Sequence, residues 1–342
     1  MSTEIQRAVR LPAQRRQIGD TDVAVTVMGL GTAPLGNLYE PISDGQAVGT
    51  VRAALAEGVT TFDTAPHYGL GLSERRVGPI LQHQRRSDIT VVTKVGRRLE
   101  PAPAGWTGEP NEPFAVPPTT KRRWDFSADG VRSCLESSLD RLGLDHVDML
   151  LIHDPENHMR QAVTECLPAL VDLRAAGVVK AIGVGTKSTA ALTELIDTGH
   201  LDVALMAGRY TLLEQGALAD VLPAAVRNRT SILIAGVFNS GLLARHQVPD
   251  QVTYDYRQAP PEILARAREI AEVCEKHGVS LPDAAMRFPL GHSSVAGLIV
   301  GARSPEEVTA DAAMLDVAVP AALWEDLRQR GLLGAETPVP TI

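Results

Sequence analysis

The chain has 342 residues, of which 44% are hydrophobic and 22% charged, a composition typical of a globular protein with a sizeable core. Its net charge is −8 and no Lys/Arg-rich stripe stands out, which argues against a nucleic-acid partner. No apolar run approaches the roughly 20 residues that cross a bilayer, so we expect no membrane association. Three scattered cysteines, Cys134, Cys166 and Cys274, predict buried thiols in a reducing cytoplasm rather than a disulfide framework.

Short apolar runs of β type alternate with segments of helical period along the chain. The sequence predicts strands at residues 25–30, 59–62, 89–93, 147–152, 179–184, 202–206, 231–235 and 296–300. It predicts helices at residues 44–57, 73–83, 129–142, 161–176, 189–197, 218–228, 261–277, 305–314 and 321–330. Cap residues support these helices, and Ser304-Pro305-Glu306-Glu307 is typical of a helix start.

The alternation of β units with helices indicates a parallel sheet, because parallel strands need crossover connections. Closing that sheet hides both of its edges. The predicted fold is therefore α/β, a (β/α)8 TIM barrel in a single domain over residues 1–342. Residues 15–19 and 23–25, separated by Asp20-Thr21, predict an N-terminal β-hairpin that plugs the bottom of the barrel.

A long loop insertion at residues 97–125 follows the third predicted strand. It is rich in proline and glycine, lacks periodicity, and is too long to be a mere connector. It is either a flexible surface insertion or a lid over the barrel mouth. Its aromatic residues favour a lid that partly covers a ligand, and they are Trp106, Phe114, Trp124 and Phe126.

Four side chains suited to proton transfer lie at or just after the ends of predicted strands: Asp63, Tyr68, Lys94 and His153. Such strand ends are where α/β enzymes place their chemistry. Because the ordinary pKa of tyrosine is about 10, Tyr68 needs help as an acid/base. Lys94 would stabilise the phenolate, Asp63 would hold Lys94 charged, and His153 would orient a substrate oxygen. The alternative makes Tyr68 a loop aromatic and Asp63–Lys94 a structural ion pair.

Three other kinds of site are weighed against this one. A desolvated lysine such as Lys94 also forms Schiff bases in lyases. Asp154, Glu156 and His158 look like a metal cluster, but no His-x-His pattern of metal-dependent barrel hydrolases follows the first strand, so we predict no metal site. No Gly-x-Gly-x-x-Gly opens a βαβ unit, so a Rossmann site is unsupported.

Several short motifs occur together between about residues 16 and 327: Asp63-Thr64-Ala65, Tyr68-Gly69, Ser73-Glu74, Thr93-Lys94, Ile152-His153-Asp154-Pro155 and Gly301-Ala302-Arg303-Ser304-Pro305. As a set they resemble the aldo-keto reductase superfamily, and this span would be the core of the domain. The segments 67–74, 125–131 and 152–156 resemble its branch of L-fucose and D-threo-aldose 1-dehydrogenases and pyridoxal dehydrogenases.

The resemblance implies an NAD(P)-dependent oxidoreductase that oxidises an aldose such as L-fucose or D-arabinose at C1 to the lactone. Tyr68 would be the acid/base, and Tyr68, His153 and Trp124 would contact the small-molecule sugar or aldehyde. The alternatives are an aldehyde or ketone reductase, a pyridoxal 4-dehydrogenase, and a dinucleotide-binding sensor subunit with little turnover. The oligomeric state stays open.

The resemblance also implies a dinucleotide lying extended across the barrel mouth. Glu307 stands where NADP-specific members often carry arginine, so we expect NAD, while Arg303 leaves NADP possible. Gly185-Thr186, Ala207 and Ala235 depart from the usual nicotinamide contacts and leave them open. The expected cofactor-binding residues are Gly31, Thr32, Asp63, Gly185, Thr186, Ala207, Gly236, Val237, Phe238, Asn239, Ser240, Gly241, Leu243, Gly301, Ala302, Arg303, Ser304, Glu307 and Asp311.

Overall fold

A computed structural model describes residues 9–109, 112–250, 253–255 and 257–341, so both ends of the predicted domain lie outside the described residues. In chain order the strands are β1 (Arg15–Gln17), β2 (Ala24–Thr26), β3 (Met28–Gly31), β4 (Thr61–Asp63), β5 (Thr90–Val95), β6 (Arg97–Pro101), β7 (Thr120–Trp124), β8 (Met149–His153), β9 (Ala181–Thr186), β10 (Val203–Ala207), β11 (Ser231–Ala235), β12 (Thr253–Tyr254), β13 (Arg257–Gln258) and β14 (Val295–Gly301). The closed barrel has the parallel order β3, β4, β5, β8, β9, β10, β11, β14, which confirms the predicted (β/α)8 TIM barrel.

The helices pack around the barrel and differ from the predicted segments in three places. The predicted helix at 218–228 starts at Val221, because the Asp220 side chain caps it at 2.6 Å. The helix Leu281–Arg287 was not expected from the sequence, since its seven residues are too few to show a helical period. The predicted helix at 161–176 is interrupted by a π-helical turn, Ala162–Cys166, between the helices Met159–Gln161 and Leu167–Ala175. The helices are α1 (Asp44–Ala56), α2 (Leu72–Leu81), α3 (Ala128–Leu142), α4 (Met159–Gln161), α5 (Leu167–Ala175), α6 (Thr189–Ile196), α7 (Val221–Asn228), α8 (Pro261–Lys276), α9 (Leu281–Arg287), α10 (Pro305–Leu315) and α11 (Ala321–Gln329).

The apolar run at residues 25–30 is divided between two sheets. Residues 24–26 pair with β1 in an antiparallel hairpin, whereas 28–31 enter the barrel. The break falls at Val27, whose N–H donates to Gln14 O at 2.8 Å in the hairpin. Ile18, Val23 and Val25 of the hairpin share one buried apolar cluster with inward-facing barrel residues. The hairpin therefore closes the barrel interior from the side of the strand starts, as the sequence predicts.

The insertion contains regular structure that the sequence does not predict. Strands β6 and β7 form an antiparallel hairpin in which Arg97 pairs with Trp124 and Glu100 with Lys121. The alternation of apolar and polar residues that indicates a strand is absent here, because charged side chains occupy both faces of β6 and β7. Phe114, farther along the insertion, is buried with its ring centroid 5.1 Å from that of His67. The insertion thus reaches the loop that carries Tyr68, and its role as a lid over a ligand stays a prediction.

The three cysteines are free and buried, in agreement with the sequence prediction. In the part of the chain that the structure describes, no helix is both long enough and apolar enough to cross a membrane.

Candidate active site

Three neighbouring barrel strands end close to Tyr68. Asp63 ends β4, Lys94 is the penultimate residue of β5, and His153 ends β8. Lys94 Nζ donates to the two carboxylate oxygens of Asp63 at 2.7 and 2.8 Å and to Tyr68 Oη at 3.1 Å. The ring centroids of Tyr68 and His153 are 5.9 Å apart. The four residues that the sequence singles out therefore form one cluster.

A tight approach of two loops fixes the position of Tyr68. The next residue, Gly69, has a left-handed φ of +62°. A Cβ added to Gly69 would lie 2.3 Å from the backbone oxygen of Gly36, so no larger residue fits there. The loop after β3 thus packs directly against the backbone that carries Tyr68.

Glu74 is a buried acid to which the sequence interpretation gives no role. Its side chain is fully buried, accepts from Thr93 Oγ1 at 2.9 Å, and accepts from Arg141 Nε at 2.6 Å. Burial raises the pKa of Glu74, and the charge of Arg141 opposes that rise. Since Thr93 precedes Lys94 in β5, Glu74 links the end of β5 to α2 and α3. In the sequence, only the motif Ser73-Glu74 pointed to Glu74 as a residue of the site.

Burial and charge act in opposite directions on the groups around Lys94. Burial lowers the pKa of Lys94, but attraction to Asp63 and Tyr68 outweighs it, so the pKa is raised and the ammonium is kept. Burial raises the pKa of Asp63, and Lys94 opposes that rise. Burial also raises the pKa of Tyr68 to about 12, although Lys94 lowers it. Lys94 acts in the predicted direction, but burial outweighs it, and Tyr68 is a neutral phenol near neutral pH.

His153 and His67 are neutral imidazoles beside Tyr68. Burial lowers the pKa of His153 well below its ordinary value, and the positive charge of Arg97 adds to the effect. Burial likewise lowers the pKa of His67. The Nδ1 atoms of both rings are buried without a hydrogen-bond partner among the described residues. Because neutral imidazole can donate or accept, these atoms leave hydrogen-bonding capacity for a polar ligand.

A charged pair lies beside His153 and was not expected from the sequence. Arg97 forms an ion pair with Asp154, and Asp154 Oδ2 is 3.6 Å from His153 Nε2. The Arg97 guanidinium carbon lies 4.5 Å from the centroid of Trp124, whose side chain is an exposed aromatic. Trp124, predicted at the substrate, therefore stands next to the cluster. In the sequence, only the position of Arg97 just after the end of β5 could have indicated that it belongs to the site.

The side chains of the suspected metal cluster have other partners. Asp154 pairs with Arg97, Glu156 accepts from Thr186 Oγ1 at 3.1 Å, and the His158 ring lies 5.3 Å from that of Trp124. Across the described ranges, no group of three or more metal-ligating side chains is found.

The predicted cofactor residues come from strands that are neighbours in the barrel. Gly185 lies in β9, Ala207 ends β10, residues 236–243 follow β11, Gly301 ends β14 and Gly31 ends β3. The barrel order β9, β10, β11, β14, β3 makes these strand ends one continuous arc. A Cβ on Gly185 would lie 3.4 Å from Lys94 Cε, so the arc reaches Lys94.

Packing already occupies several of these side chains. The side chains of Val237, Leu243 and Ala302 are buried in the core, so only their backbones are available to a cofactor. The Thr32 hydroxyl donates to Asp63 O at 2.9 Å, and Thr186 is engaged with Glu156. The side chain of Asn239 accepts from Thr211 Oγ1 at 2.7 Å. For these residues the predicted contact would run through the main chain.

The loop after β11 offers backbone donors suited to phosphate. Asn239, Ser240 and Gly241 have left-handed φ values of 45°, 60° and 91°. The N–H groups of Phe238 and Ser240 have no hydrogen-bond acceptor within the described residues, and Ser240 is exposed. Turns that expose such N–H groups bind anions. This loop therefore fits the pyrophosphate of a dinucleotide.

Carboxylates surround the start of α10. Arg303 N donates to Glu307 Oε2 at 2.7 Å, and the Arg303 guanidinium lies 3.2 Å from Glu40 and 3.7 Å from Glu307. The Ser304 hydroxyl caps the helix by accepting from Glu307 N at 3.2 Å, as predicted for this start. Burial raises the pKa of Asp311 to about 7, and the charge of Glu307 adds to this. Two acids thus neutralise Arg303.

Comparisons with known proteins agree with this geometry. The model of the aldo/keto reductase family matches residues 27–329. A D-threo-aldose 1-dehydrogenase from Pseudomonas sp is 43% identical over 91% of this chain and 95% of its own. A pyridoxal 4-dehydrogenase from Microbacterium luteolum is 36% identical over 94% of this chain and 98% of its own. The structure of a glycerol dehydrogenase from Gluconobacter oxydans superposes with a TM-score of 0.75 at 26% identity, covering 96% of this chain and 98% of that one.

Proposed function

The chain belongs to the aldo/keto reductase family and is an NAD(P)-dependent oxidoreductase, and from this we propose that it oxidises an aldose at C1 to the lactone. The observation that carries the proposal is the position of Lys94 Nζ between the Asp63 carboxylate and Tyr68 Oη. The similarity to a D-threo-aldose 1-dehydrogenase supports the sugar class, with L-fucose and D-arabinose as candidate substrates.

Tyr68 is the proposed acid/base. During oxidation, the proton of the C1 hydroxyl passes to Tyr68 Oη, and in the reverse direction the phenol returns it. Lys94 holds the phenolate by charge, and Asp63 keeps Lys94 charged and in place. The neutral imidazole of His153 orients the reacting oxygen. A bound nicotinamide supplies the hydride acceptor.

We expect the oxidation rate to rise with pH. Burial raises the pKa of Tyr68 to about 12, so the phenolate fraction grows about tenfold per pH unit below that value. Initial rates with L-fucose, D-arabinose, L-galactose and pyridoxal, each from pH 7 to 10, measure this. Turnover of an aldose with kcat/KM rising throughout supports the proposal. A value of kcat/KM that does not change with pH over this range, or no turnover with any of the sugars, would contradict it.

NAD is the proposed cofactor. The 2′-phosphate of NADP would approach the start of α10, where Glu307 and Glu40 both face Arg303. Those carboxylates occupy the cation that would otherwise pair with the phosphate, and they repel the phosphate itself. NAD carries a neutral hydroxyl at that position and avoids the repulsion.

Replacing Glu307 with glutamine is expected to reduce the preference for NAD over NADP by about tenfold, or 1.4 kcal/mol. The substitution removes one negative charge beside Arg303 and keeps side-chain hydrogen bonding to Arg303 N. The ratio of kcat/KM for the two cofactors measures the change. Glu306→Gln is the matched control, because Glu306 is exposed on the same helical turn. An equal change in both variants, or a wild type that prefers NADP, would refute cofactor selection by Glu307.

The same experiments separate the other candidate functions. Oxidation of pyridoxal alone would favour the second relative's activity, and reduction of aldehydes alone a carbonyl reductase. Cofactor binding without turnover in either direction would favour a sensor. The buried free thiols Cys134, Cys166 and Cys274 support the proposed reducing cytoplasm.

A further inference from the structure

Unpartnered polar atoms concentrate around Tyr68. Across the described residues, eleven buried side-chain nitrogen or oxygen atoms lack a hydrogen-bond partner. Four of them belong to His67, His153, Arg97 and Arg122, which surround one another closely enough to interact through charge. Folded proteins satisfy nearly all buried polar groups, so such a concentration is an exception that a bound polar ligand would explain.

Arg97 and Asp154 are held rigidly at the edge of this cluster. Arg97 stacks on the ring of Trp124, its cross-strand partner in the insertion hairpin. Asp154 N donates to Gly185 O at 3.0 Å, and Asp154 has a left-handed φ of 44°, a conformation that non-glycine residues adopt at a cost. The Arg97 and Asp154 side chains keep 13% and 27% of their surface exposed, so a ligand in the mouth reaches both.

We infer that Arg97, held against the ring of Trp124, and Asp154 form a subsite that binds a vicinal diol of the substrate, next to the reacting carbon held by Tyr68 and His153. The inference rests on the proposed oxidation of sugars, and it names the feature of the sugar that the subsite recognises. The Asp154 carboxylate accepts from the diol hydroxyls, and the Arg97 fork donates to them.

The charge of the pair decides which ligand fits. Arg97 and Asp154 neutralise each other, and Glu156 lies two residues away, so the subsite gives no net attraction to an anion. A simple aldehyde has no hydroxyl groups to bond the remaining lone pairs of Asp154 and the remaining N–H groups of Arg97, so it gains nothing from the subsite. Adjacent hydroxyls satisfy donor and acceptor together, as a polyhydroxylated substrate requires.

Two hemiacetals that share the reacting carbon test the subsite. L-Fucose carries the ring hydroxyls, whereas 2-hydroxytetrahydropyran has only the C1 hydroxyl. For the wild type we expect kcat/KM to favour L-fucose. In Arg97→Leu that preference is expected to fall about ten- to hundredfold, through the KM for L-fucose. Arg97→Lys keeps the ion pair with Asp154 but lacks the planar fork, and a comparable loss is expected. The control Arg123→Leu, an exposed change on the same hairpin, should leave the preference unchanged.

Rescue by Arg97→Lys would overturn the inference, because Arg97 would then serve only to position Asp154. Equal losses with both hemiacetals in Arg97→Leu would overturn it as well. Calorimetric binding of L-fucose to enzyme saturated with NADH tests the subsite apart from turnover. Binding that Arg97→Leu weakens, without oxidation by the wild type, would refute the proposed function and support the subsite. No binding to the wild type would overturn the subsite.

Discussion

The substitution Tyr68→Phe is expected to lower kcat about 10²–10⁴-fold, the usual contribution of a positioned acid/base. The substitution removes only Oη, which lies 3.1 Å from Lys94 Nζ. The ring of Tyr68 and its contacts with Phe114 and His153 remain, so the fold should be preserved. Initial rates of aldose oxidation measure the loss, and fluorescence titration with NADH measures cofactor affinity, which should not change.

Two outcomes would count against the assignment of Tyr68. Full activity in Tyr68→Phe would remove it from the chemistry. Loss of activity together with loss of NADH affinity would indicate a damaged barrel mouth instead of a missing proton carrier. The residual rate should also lose the rise with pH, since the group whose pKa burial raises to about 12 is gone.

The barrel and the cluster around Tyr68 follow from local sequence patterns. Each barrel strand is a short apolar run, and Asp63, Lys94 and His153 lie at or next to the ends of such runs. In a parallel barrel all strand ends of one kind share one face, so position in the run is enough to bring these residues together. Tyr68 needs one more condition, the glycine at 69, which the sequence displays directly.

The parts that could not be predicted depend on pairing between distant segments. Glu74 and Arg141 are 67 positions apart, and Arg97 and Asp154 are 57 apart, so no periodicity links them. The insertion hairpin escaped prediction because its residues carry charge on both faces, and ion pairs of Glu100 with Lys121 and Arg123 join its strands in place of an apolar pattern. For the cofactor residues, motif matching cannot tell a free side chain from one such as Asn239 that packing has already engaged.

The substitution Lys94→Met is expected to abolish turnover and to destabilise the fold by about 3–5 kcal/mol. Lys94 and Asp63 are 1% and 2% exposed, so removing the ammonium leaves a buried carboxylate without its partner. Burial raises the folded-state pKa of Asp63, and without Lys94 only the hydrogen bond with Tyr68 opposes that rise. For an acid shifted in this way, stability is lost as pH rises through the folded pKa. The difference in unfolding free energy between the wild type and Lys94→Met should therefore become smaller as pH falls toward about 4. Urea denaturation at several pH values measures this difference.

The double variant Asp63→Asn/Lys94→Met separates folding from catalysis. With both charges removed, no buried ion is left unpaired, so much of the lost stability should return and its dependence on pH should disappear. Activity should not return, because Tyr68 still lacks the cation that opposes the rise of its pKa. Recovery of activity with stability would mean that the Asp63–Lys94 pair is structural and that the chemistry lies elsewhere in the barrel mouth. Stability that fails to recover would mean that Lys94 acts through its bond to Thr64 O at 3.0 Å rather than through its charge.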